Sequence, residues 1–353
     1  MISSAPISIT GSPNRNIHMD SKKKHLPTSL VIGVCLILLS VLGCDSSTGY
    51  SNDWTDTIVV NDRYYRLQLL NPDTGETVII RDSEKVHSGL QWSPDGQSIA
   101  YSARLSQGAV SDQIYVTNRF GRGKRLITLW DNNGRIEETP GFAEEPIWSP
   151  DADLIVFCRY FDPYAIPDIY IATSNPSKGL YEVCLTPDPF GDWPYDWTPD
   201  GSKIIFASNG YPDGIPDPDG RSDLYLMNIN GSGKYRFIES DSSFFVRRAR
   251  YSSNGTQIAL IGLTRVVRDG IENFFHDIYI INADGSNLRK ITETGINKMC
   301  VSWAPDGTRL AYTAGEKPWE GDHVYIVDVD GTNRIQITSG EPIYFYLDWR
   351  PRG

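Results

Sequence analysis

The chain has 353 residues, of which 40% are hydrophobic and 22% are charged, and its formal net charge at pH 7 is −11. This composition can fill a large buried core, which excludes an intrinsically disordered protein. The acidic balance also argues against nucleic acid as a partner, because phosphate groups are bound by basic surfaces.

The N-terminal segment has the pattern of a bacterial export signal. Three lysines at 22–24 precede an apolar run of 14 residues at 30–43. A helix that spans a bilayer needs roughly 20 apolar residues, so this run is too short to be one. It ends in Val-Leu-Gly, followed by Cys44. This ending resembles a bacterial lipobox, which implies cleavage before Cys44 and attachment of lipid to its sulfur.

The signal divides the chain into three predicted parts. Residues 1–44 are predicted to be a lipoprotein signal peptide, with Met19 as a second candidate for the true start. Residues 45–54 are predicted to be a short tether, and residues 55–353 the folded domain. Because the signal carries four cations and one anion, its removal changes the formal net charge from −11 to −14. We expect an exported protein, held by lipid at a membrane that faces the periplasm or the cell exterior.

The folded domain consists of a repeat built around the motif Trp-Ser-Pro-Asp-Gly. Each copy continues into a β-branched segment, then a segment of the form Asp-Ile-Tyr-Ile, and then an Asn/Asp-Gly turn. These alternating short segments predict a four-stranded antiparallel sheet in each copy, with no helical periodicity between copies. Six copies of such a sheet arranged radially make an all-β, six-bladed β-propeller. The aromatic anchors of the copies are 46 to 56 residues apart and lie at Trp92, Trp148, Trp197, Tyr251, Trp303 and Trp349.

The last copy is incomplete, because almost nothing follows its anchor Trp349. Segments 54–60, 64–75 and 76–82 have the pattern of three strands. Pairing of these N-terminal strands with segment 344–351 would complete the sixth blade. We expect this pairing to close the ring, since closure removes the exposed sheet edges of an open array.

The repeat is similar to the WD40-like repeat of TolB-type propellers, and the similarity covers residues 55–353. It implies the propeller fold. TolB itself carries an additional α/β domain ahead of its propeller, whereas only about ten residues separate Cys44 from the first predicted strand here. We therefore expect a propeller without that domain, which argues against a direct role in the Tol–Pal system.

The repeated motif is predicted to be scaffold. Ser-Pro-Asp-Gly suits a type I turn, and the preceding aromatic is a packing anchor. Long, dissimilar connections lie at the opposite end of the strands, where binding usually occurs. The candidate contacts on this long-loop face are aromatic: Tyr164, Phe190, Trp193, Tyr195, Tyr211, Phe274, Phe275 and Trp319.

We expect a monomer that binds an envelope protein or peptide through this face, without catalysis and without a required cofactor. The alternative is a carbohydrate-binding or carbohydrate-cleaving propeller. Some propeller lyases that resemble this repeat hold a metal with several histidines. The three histidines of the exported part, His87, His276 and His323, lie in different blades at non-equivalent positions, so the sequence leaves their convergence open.

One acidic loop resembles the start of an oxygen-rich calcium site. It has neither an acid at Ile215 nor a distal glutamate, since that position is Leu226. Calcium is therefore a second hypothesis beside ordinary Asp-Gly turns. The candidate ligands are Asp213, Asp217, Asp219 and Asp223.

The calcium hypothesis predicts that added calcium raises the melting temperature of the protein, because a ligand that binds only the folded state stabilises it. Asp219→Asn would then remove most of the increase. Thermal melts with and without calcium, with magnesium as the control ion, measure this. An unchanged melting temperature contradicts the hypothesis.

Overall fold

A computed structural model gives the structure of the protein. It describes residues 56–81, 85–104, 111–128, 141–161, 166–175, 177, 182–210, 222–239, 244–268, 271–292, 295–315, 323–341 and 343–352. Several predicted residues lie outside these ranges, namely Cys44, Tyr164, Tyr211, Trp319, Asp213, Asp217 and Asp219.

The described residues form 24 β-strands. In chain order these are β1 (Ile58–Asp62), β2 (Leu67–Leu70), β3 (Thr77–Arg81), β4 (Val86–Trp92), β5 (Ser98–Arg104), β6 (Asp112–Asn118), β7 (Arg125–Leu126), β8 (Phe142–Trp148), β9 (Leu154–Tyr160), β10 (Asp168–Thr173), β11 (Glu182–Cys184), β12 (Asp192–Trp197), β13 (Lys203–Ser208), β14 (Asp223–Asn228), β15 (Tyr235–Ile238), β16 (Phe244–Tyr251), β17 (Gln257–Arg268), β18 (Ile271–Asn282), β19 (Arg289–Lys290), β20 (Asn297–Trp303), β21 (Arg309–Gly315), β22 (His323–Asp328), β23 (Ile335–Gln336) and β24 (Tyr344–Trp349). Within these ranges no helix is long and apolar enough to cross a membrane.

The strands make six four-stranded antiparallel sheets. Blade 1 is β4–β7, blade 2 is β8–β11, blade 3 is β12–β15, blade 4 is β16–β19 and blade 5 is β20–β23. Blade 6 has the order β24-β1-β2-β3. The first strand of each blade contacts the first strands of the two neighbouring blades, so these six strands surround a central channel. The prediction of a six-bladed β-propeller is confirmed.

Blade 6 joins the two ends of the folded domain. Strand β1 pairs antiparallel with β24, with Ile58 opposite Trp349 and Asn61 opposite Tyr346. The side chain of Asn61 also accepts a hydrogen bond of 2.9 Å from the backbone N–H of Tyr346. The predicted closure by three N-terminal strands and one C-terminal strand is therefore confirmed.

The Ser-Pro-Asp-Gly segments form tight turns between the first and second strands. In blade 1 the N–H of Gly96 donates to the carbonyl of Ser93 at 2.8 Å, and the carboxylate of Asp95 accepts from the N–H of Gln97 at 3.0 Å. Gly96 has φ +63°, the left-handed region that glycine adopts without strain. Its ideal Cβ would also lie 2.9 Å from the side chain of Arg350. The turn therefore requires glycine at this position.

The anchors fix one blade to the next. The five tryptophans are each between 3% and 7% exposed, and burying a large apolar side chain contributes roughly 1.5–3 kcal/mol. Hydrogen bonds reinforce the packing, because the residue before an anchor accepts from the backbone N–H of the next anchor. The N–H of Trp148 donates to Gln91 Oε1 at 2.7 Å, and the N–H of Trp92 donates to Asp348 Oδ2 at 2.9 Å. The second bond connects blade 6 to blade 1 and completes the ring.

Deletion of residues 340–353 is predicted to abolish cooperative unfolding. The deletion removes β24 and Asp348, leaves the edge of β1 unpaired, and separates blade 6 from blades 5 and 1. Thermal unfolding followed by circular dichroism measures the effect, with a chain that lacks only residues 352–353 as the control. A sharp transition in the longer deletion, at the melting temperature of the parent, would contradict the role of closure.

Candidate functional site

The first strand of every blade contains a β-bulge. The irregularity leaves one residue without a partner on the second strand in blades 3 to 6, and two in blades 1 and 2, where Gly89 and Pro146 are unpaired besides His87 and Glu145. A residue at a bulge is redirected from the regular face of the sheet. In order from blade 1 to blade 6 the bulged residues of the site are His87, Glu145, Tyr195, Arg247, Met299 and Phe345.

All six bulged residues line one cavity of about 490 Å³. Its volume is within the range of pockets that bind small ligands. Tyr65 and Ser222 also line it, and both lie in connections between a second and a third strand. The cavity is therefore at the long-loop mouth of the channel. A second cavity of about 270 Å³, lined by the anchors and their following prolines, lies at the opposite mouth.

Close packing between blades 1 and 2 shapes one wall of the larger cavity. A Cβ on Gly89 would lie 2.5 Å from the Cα of Glu145, so only glycine fits there. Glu145 itself has φ +55°, which is uncommon for a residue with a side chain. This backbone conformation places Glu145 in the lining of the cavity.

An ion pair between blades 2 and 4 closes the inner end of the cavity. The guanidinium of Arg248 lies 2.6 Å from Glu145 Oε1 and 5.5 Å from the ring centre of Tyr346. Burial lowers the pKa of Arg248, but the charge of Glu145 and its hydrogen bond, together with the interactions of Tyr346 and Cys300, outweigh burial and raise it overall. On the other side of the pair the described residues line a pocket of about 20 Å³, enough for about one water molecule. Within the described residues the cavity is therefore blind.

A buried lysine lines the same cavity. Lys298 is 1% exposed, and its Nζ is 2.6 Å from Asp277 Oδ1, which keeps the buried charge paired. Burial lowers the pKa of Lys298 below its ordinary value, while the hydrogen bond that Lys298 donates to Asp277 opposes that shift. Near it, His276 Nδ1 is 3.1 Å from Asn297 Oδ1.

A histidine, a carboxylate and an arginine form a group on the wall of blade 1. The ring of His87 stacks on Tyr65 with 4.9 Å between ring centres, and its Nδ1 is 3.3 Å from Asp112 Oδ2. Arg104 Nε is 3.2 Å from the other oxygen of Asp112. Burial raises the pKa of Asp112, but the bonds from His87 and Arg104 outweigh burial and lower it overall.

The described candidate aromatics have different environments. Trp193 and Tyr195 line the cavity. Phe190 is half-buried and packs against Gly210, where a Cβ would lie 2.4 Å from its ring. Phe274 is 47% exposed on β18 and Phe275 is half-buried, and neither lines the cavity.

Two of the three histidines come to the same cavity. His87 and His276 line it, whereas His323 does not. Asp223, the one described candidate calcium ligand, lies 3.1 Å from the guanidinium of Arg236. In the described part of the chain, no group of three or more His, Cys, Asp or Glu side chains could hold a metal ion.

Most of the bulged residues were not predicted from the sequence, because binding residues were expected in the long connections between strands. Arg247, Met299 and Phe345 each lie four residues before an anchor. They share this distance from the anchor but no residue type, so the distance is the one signal that the sequence offers for them. Glu145 and Tyr195 lie three and two residues before their anchors, so the shift of the bulge conceals the repeat.

Glu144, which precedes the bulge of blade 2, is predicted to make stability depend on pH. Burial above all, together with the charges of Glu145 and Asp112, raises its pKa to about 7. Between its ordinary value of 4.5 and about pH 7, the folded state holds a proton that the unfolded state has lost. The free energy of unfolding therefore falls as pH rises through this window, by up to about 3 kcal/mol.

The substitution Glu144→Gln mimics the protonated form and should remove this loss. Urea unfolding between pH 5 and pH 8 measures it, with the exposed Glu76→Gln as the control. We expect the stability of the Glu144→Gln variant to increase relative to that of the parent as pH rises. A difference between the two that does not change with pH would contradict the prediction.

An enzyme is among the solved structures that share this fold. The structure of an oligogalacturonate lyase from Vibrio parahaemolyticus matches with a TM-score of 0.51 at 14% sequence identity, over 80% of this chain and 79% of that chain. At this identity the match shows the fold alone. No family model matches the chain.

Proteins named TolB are among the matches. The structure of TolB from Acinetobacter baumannii has a TM-score of 0.61 at 20% identity, over 84% of this chain and 66% of that chain. A putative TolB from Agrobacterium tumefaciens has a TM-score of 0.56 at 18% identity, over 82% and 90%. The Tol-Pal system protein TolB of Thioalkalivibrio sulfidiphilus is 34% identical over 88 residues, which are 25% of this chain but only 19% of that protein. The chain has a TolB-like β-propeller fold.

Proposed function

We propose that this protein is a lipid-anchored, extracytoplasmic propeller that binds a protein or peptide partner at its long-loop mouth, without catalysis. One observation carries the proposal, namely the blind cavity of about 490 Å³ to which every blade contributes its bulged residue. Six independent bulges that turn side chains into one cavity make a preformed site, and a preformed site loses little entropy on binding.

The lining has the composition of a recognition site. It combines aromatic side chains such as Trp193, Phe245 and Phe345 with the charged groups of Glu145 and Arg247. Aromatic residues and arginine are enriched where proteins bind proteins. Phe274 is also exposed on the hairpin of blade 4, on the long-loop side of the propeller.

The proposal that the protein is exported and lipid-anchored is argued from its sequence. The lysines at 22–24, the apolar run at 30–43 and Cys44 follow one another in the order of a lipoprotein signal. A lipid on Cys44 would hold the propeller at a membrane surface, where an envelope protein is the natural class of partner.

Carbohydrate is the second candidate ligand. Aromatic rings beside charged side chains in the cavity suit sugars as well, and the fold is shared with an oligogalacturonate lyase. A glycan array together with metal analysis of the purified protein distinguishes this candidate. A glycan signal that Trp193→Ala removes would favour it over the peptide.

Capture of partners from envelope extracts tests the proposal with two matched aspartate variants. Phe274→Asp changes an exposed ring, 47% accessible, on the long-loop side. Phe120→Asp changes a ring that is 53% accessible in a turn on the opposite side. Because both rings are exposed, neither change should affect folding, which thermal melts would verify.

We expect Phe274→Asp and Trp193→Ala to lose the proteins that the parent captures, and Phe120→Asp to retain them. Quantitative mass spectrometry of the captured fractions, compared with a column without protein, measures the result. Equal recovery with all variants would refute binding at the long-loop mouth.

A further inference from the structure

The chain enters the folded domain on the side opposite the long loops. We call this side the short-turn face, and in blade 1 it consists of the turns at 93–97 and 118–125. Strand β1 begins at Ile58, which pairs with Trp349 at the end of β24. The anchors lie where the first strands reach the short-turn face. Thr57, which precedes β1, therefore lies at this face as well.

Three hydrogen bonds connect this entry point to the turns of blade 1. The backbone N–H of Arg350 donates to the carbonyl of Thr57 at 2.8 Å, and Arg350 Nε donates to the carbonyl of Gly96 at 3.0 Å. The N–H of Arg119 donates to the carbonyl of Gln97 at 2.9 Å. The entry of the chain and the turn that contains Arg119 therefore share one face, in adjoining blades.

The turn of blade 1 between its third and fourth strands differs in charge from the corresponding turns of other blades. It contains no acid and four cations, namely Arg119, Arg122, Lys124 and Arg125. The last three of these are exposed. Phe120 occupies the position that Asp284 and Asp330 hold in the turns of blades 4 and 5. One edge of the short-turn face is therefore basic, in a chain whose formal net charge is −11.

We propose that this basic edge docks on an anionic membrane surface, so that the long-loop mouth faces away from the membrane. The inference rests on the proposed anchoring at Cys44, which keeps the propeller close to a bilayer. Twelve residues lead from Cys44 to Asp56, and an extended chain of this length reaches at most about 40 Å. Basic side chains are attracted to anionic headgroups within a Debye length, about 10 Å at 0.1 M salt. A short tether lets the edge reach this range repeatedly.

The tether alone does not set the tilt of the propeller, but the charges of the other turns do. Hydrogen bonds from Ser286 and Thr332 lower the pKa of Asp284 and Asp330, so both carboxylates are charged at neutral pH. An anionic surface repels these turns of blades 4 and 5. Blade 4 lies across the ring from blade 1, so the contact is confined to the edge of blade 1. A partner can then reach the cavity without displacing the membrane.

The test uses residues 45–353, which contain all six blades, with a hexahistidine tag ahead of residue 45. A nickel-chelating lipid holds the tag on vesicles, so the result does not depend on modification of Cys44. A fluorescent coumarin side chain replaces the exposed Gln97 on the short-turn face or the exposed Tyr64 on the long-loop side. Energy transfer to rhodamine-labelled lipid reports how close each position is to the bilayer. Vesicles of phosphatidylcholine are compared with vesicles in which a third of the lipid is phosphatidylglycerol.

We expect phosphatidylglycerol to increase energy transfer from position 97 and not from position 64. Each basic side chain at an anionic surface strengthens binding about fivefold. The double variant Arg122→Gln/Arg125→Gln should therefore lower the ratio of docked to undocked chains roughly 25-fold and remove most of the increase. The control Arg63→Gln/Lys85→Gln removes the same charge from exposed positions on the long-loop side and should retain it. Salt at about 1 M should abolish the increase, because it shortens the Debye length to about 3 Å.

Three results would overturn the proposal in different ways. Equal transfer from position 97 on both kinds of vesicle would refute docking, while the anchoring and the binding of a partner at the long-loop mouth would stand. An increase from position 64 in place of position 97 would refute the orientation. An unmodified Cys44 in purified membranes, measured by mass spectrometry of the N-terminal peptide, would refute the anchoring on which the docking rests.

Discussion

The pairing of β24 with β1 holds the two ends of the folded domain in one sheet, and the rest of the molecule depends on it. Each blade buries its anchor against a neighbour, so a ring with one missing contact would expose two apolar sheet faces. The bond from Trp92 N–H to Asp348 closes the last gap with a buried carboxylate. Closure thereby fixes the positions of all six first strands around the channel.

Those first strands are also where the candidate site arises. A regular strand would alternate its side chains between the two blade interfaces, and none would be left over for the channel. The bulge in each strand directs one residue into the lining of the cavity instead. The scaffold therefore provides six lining positions, of which Arg247 and Met299 are two.

The fold was predictable from sequence, because turn chemistry and buried anchors recur in register. Ser93 and Gly96 identify one turn, and the five further copies of the repeat give the number of blades. The site was less predictable. Trp193 and Tyr195 were candidate contacts and do line the cavity, but Arg247, Met299 and Phe345 were not considered. A bulge depends on how two strands pair, and one strand's sequence does not show that.

The central claim is that partners contact the cavity at the long-loop mouth. A photoreactive benzoylphenylalanine in place of Phe345, irradiated in intact cell envelopes, tests it most directly, with the same substitution at Phe120 on the opposite side. The account predicts a covalent adduct of higher mass from position 345 and none from position 120. An adduct from position 120 alone would place the partner on the side opposite the long loops and contradict the account.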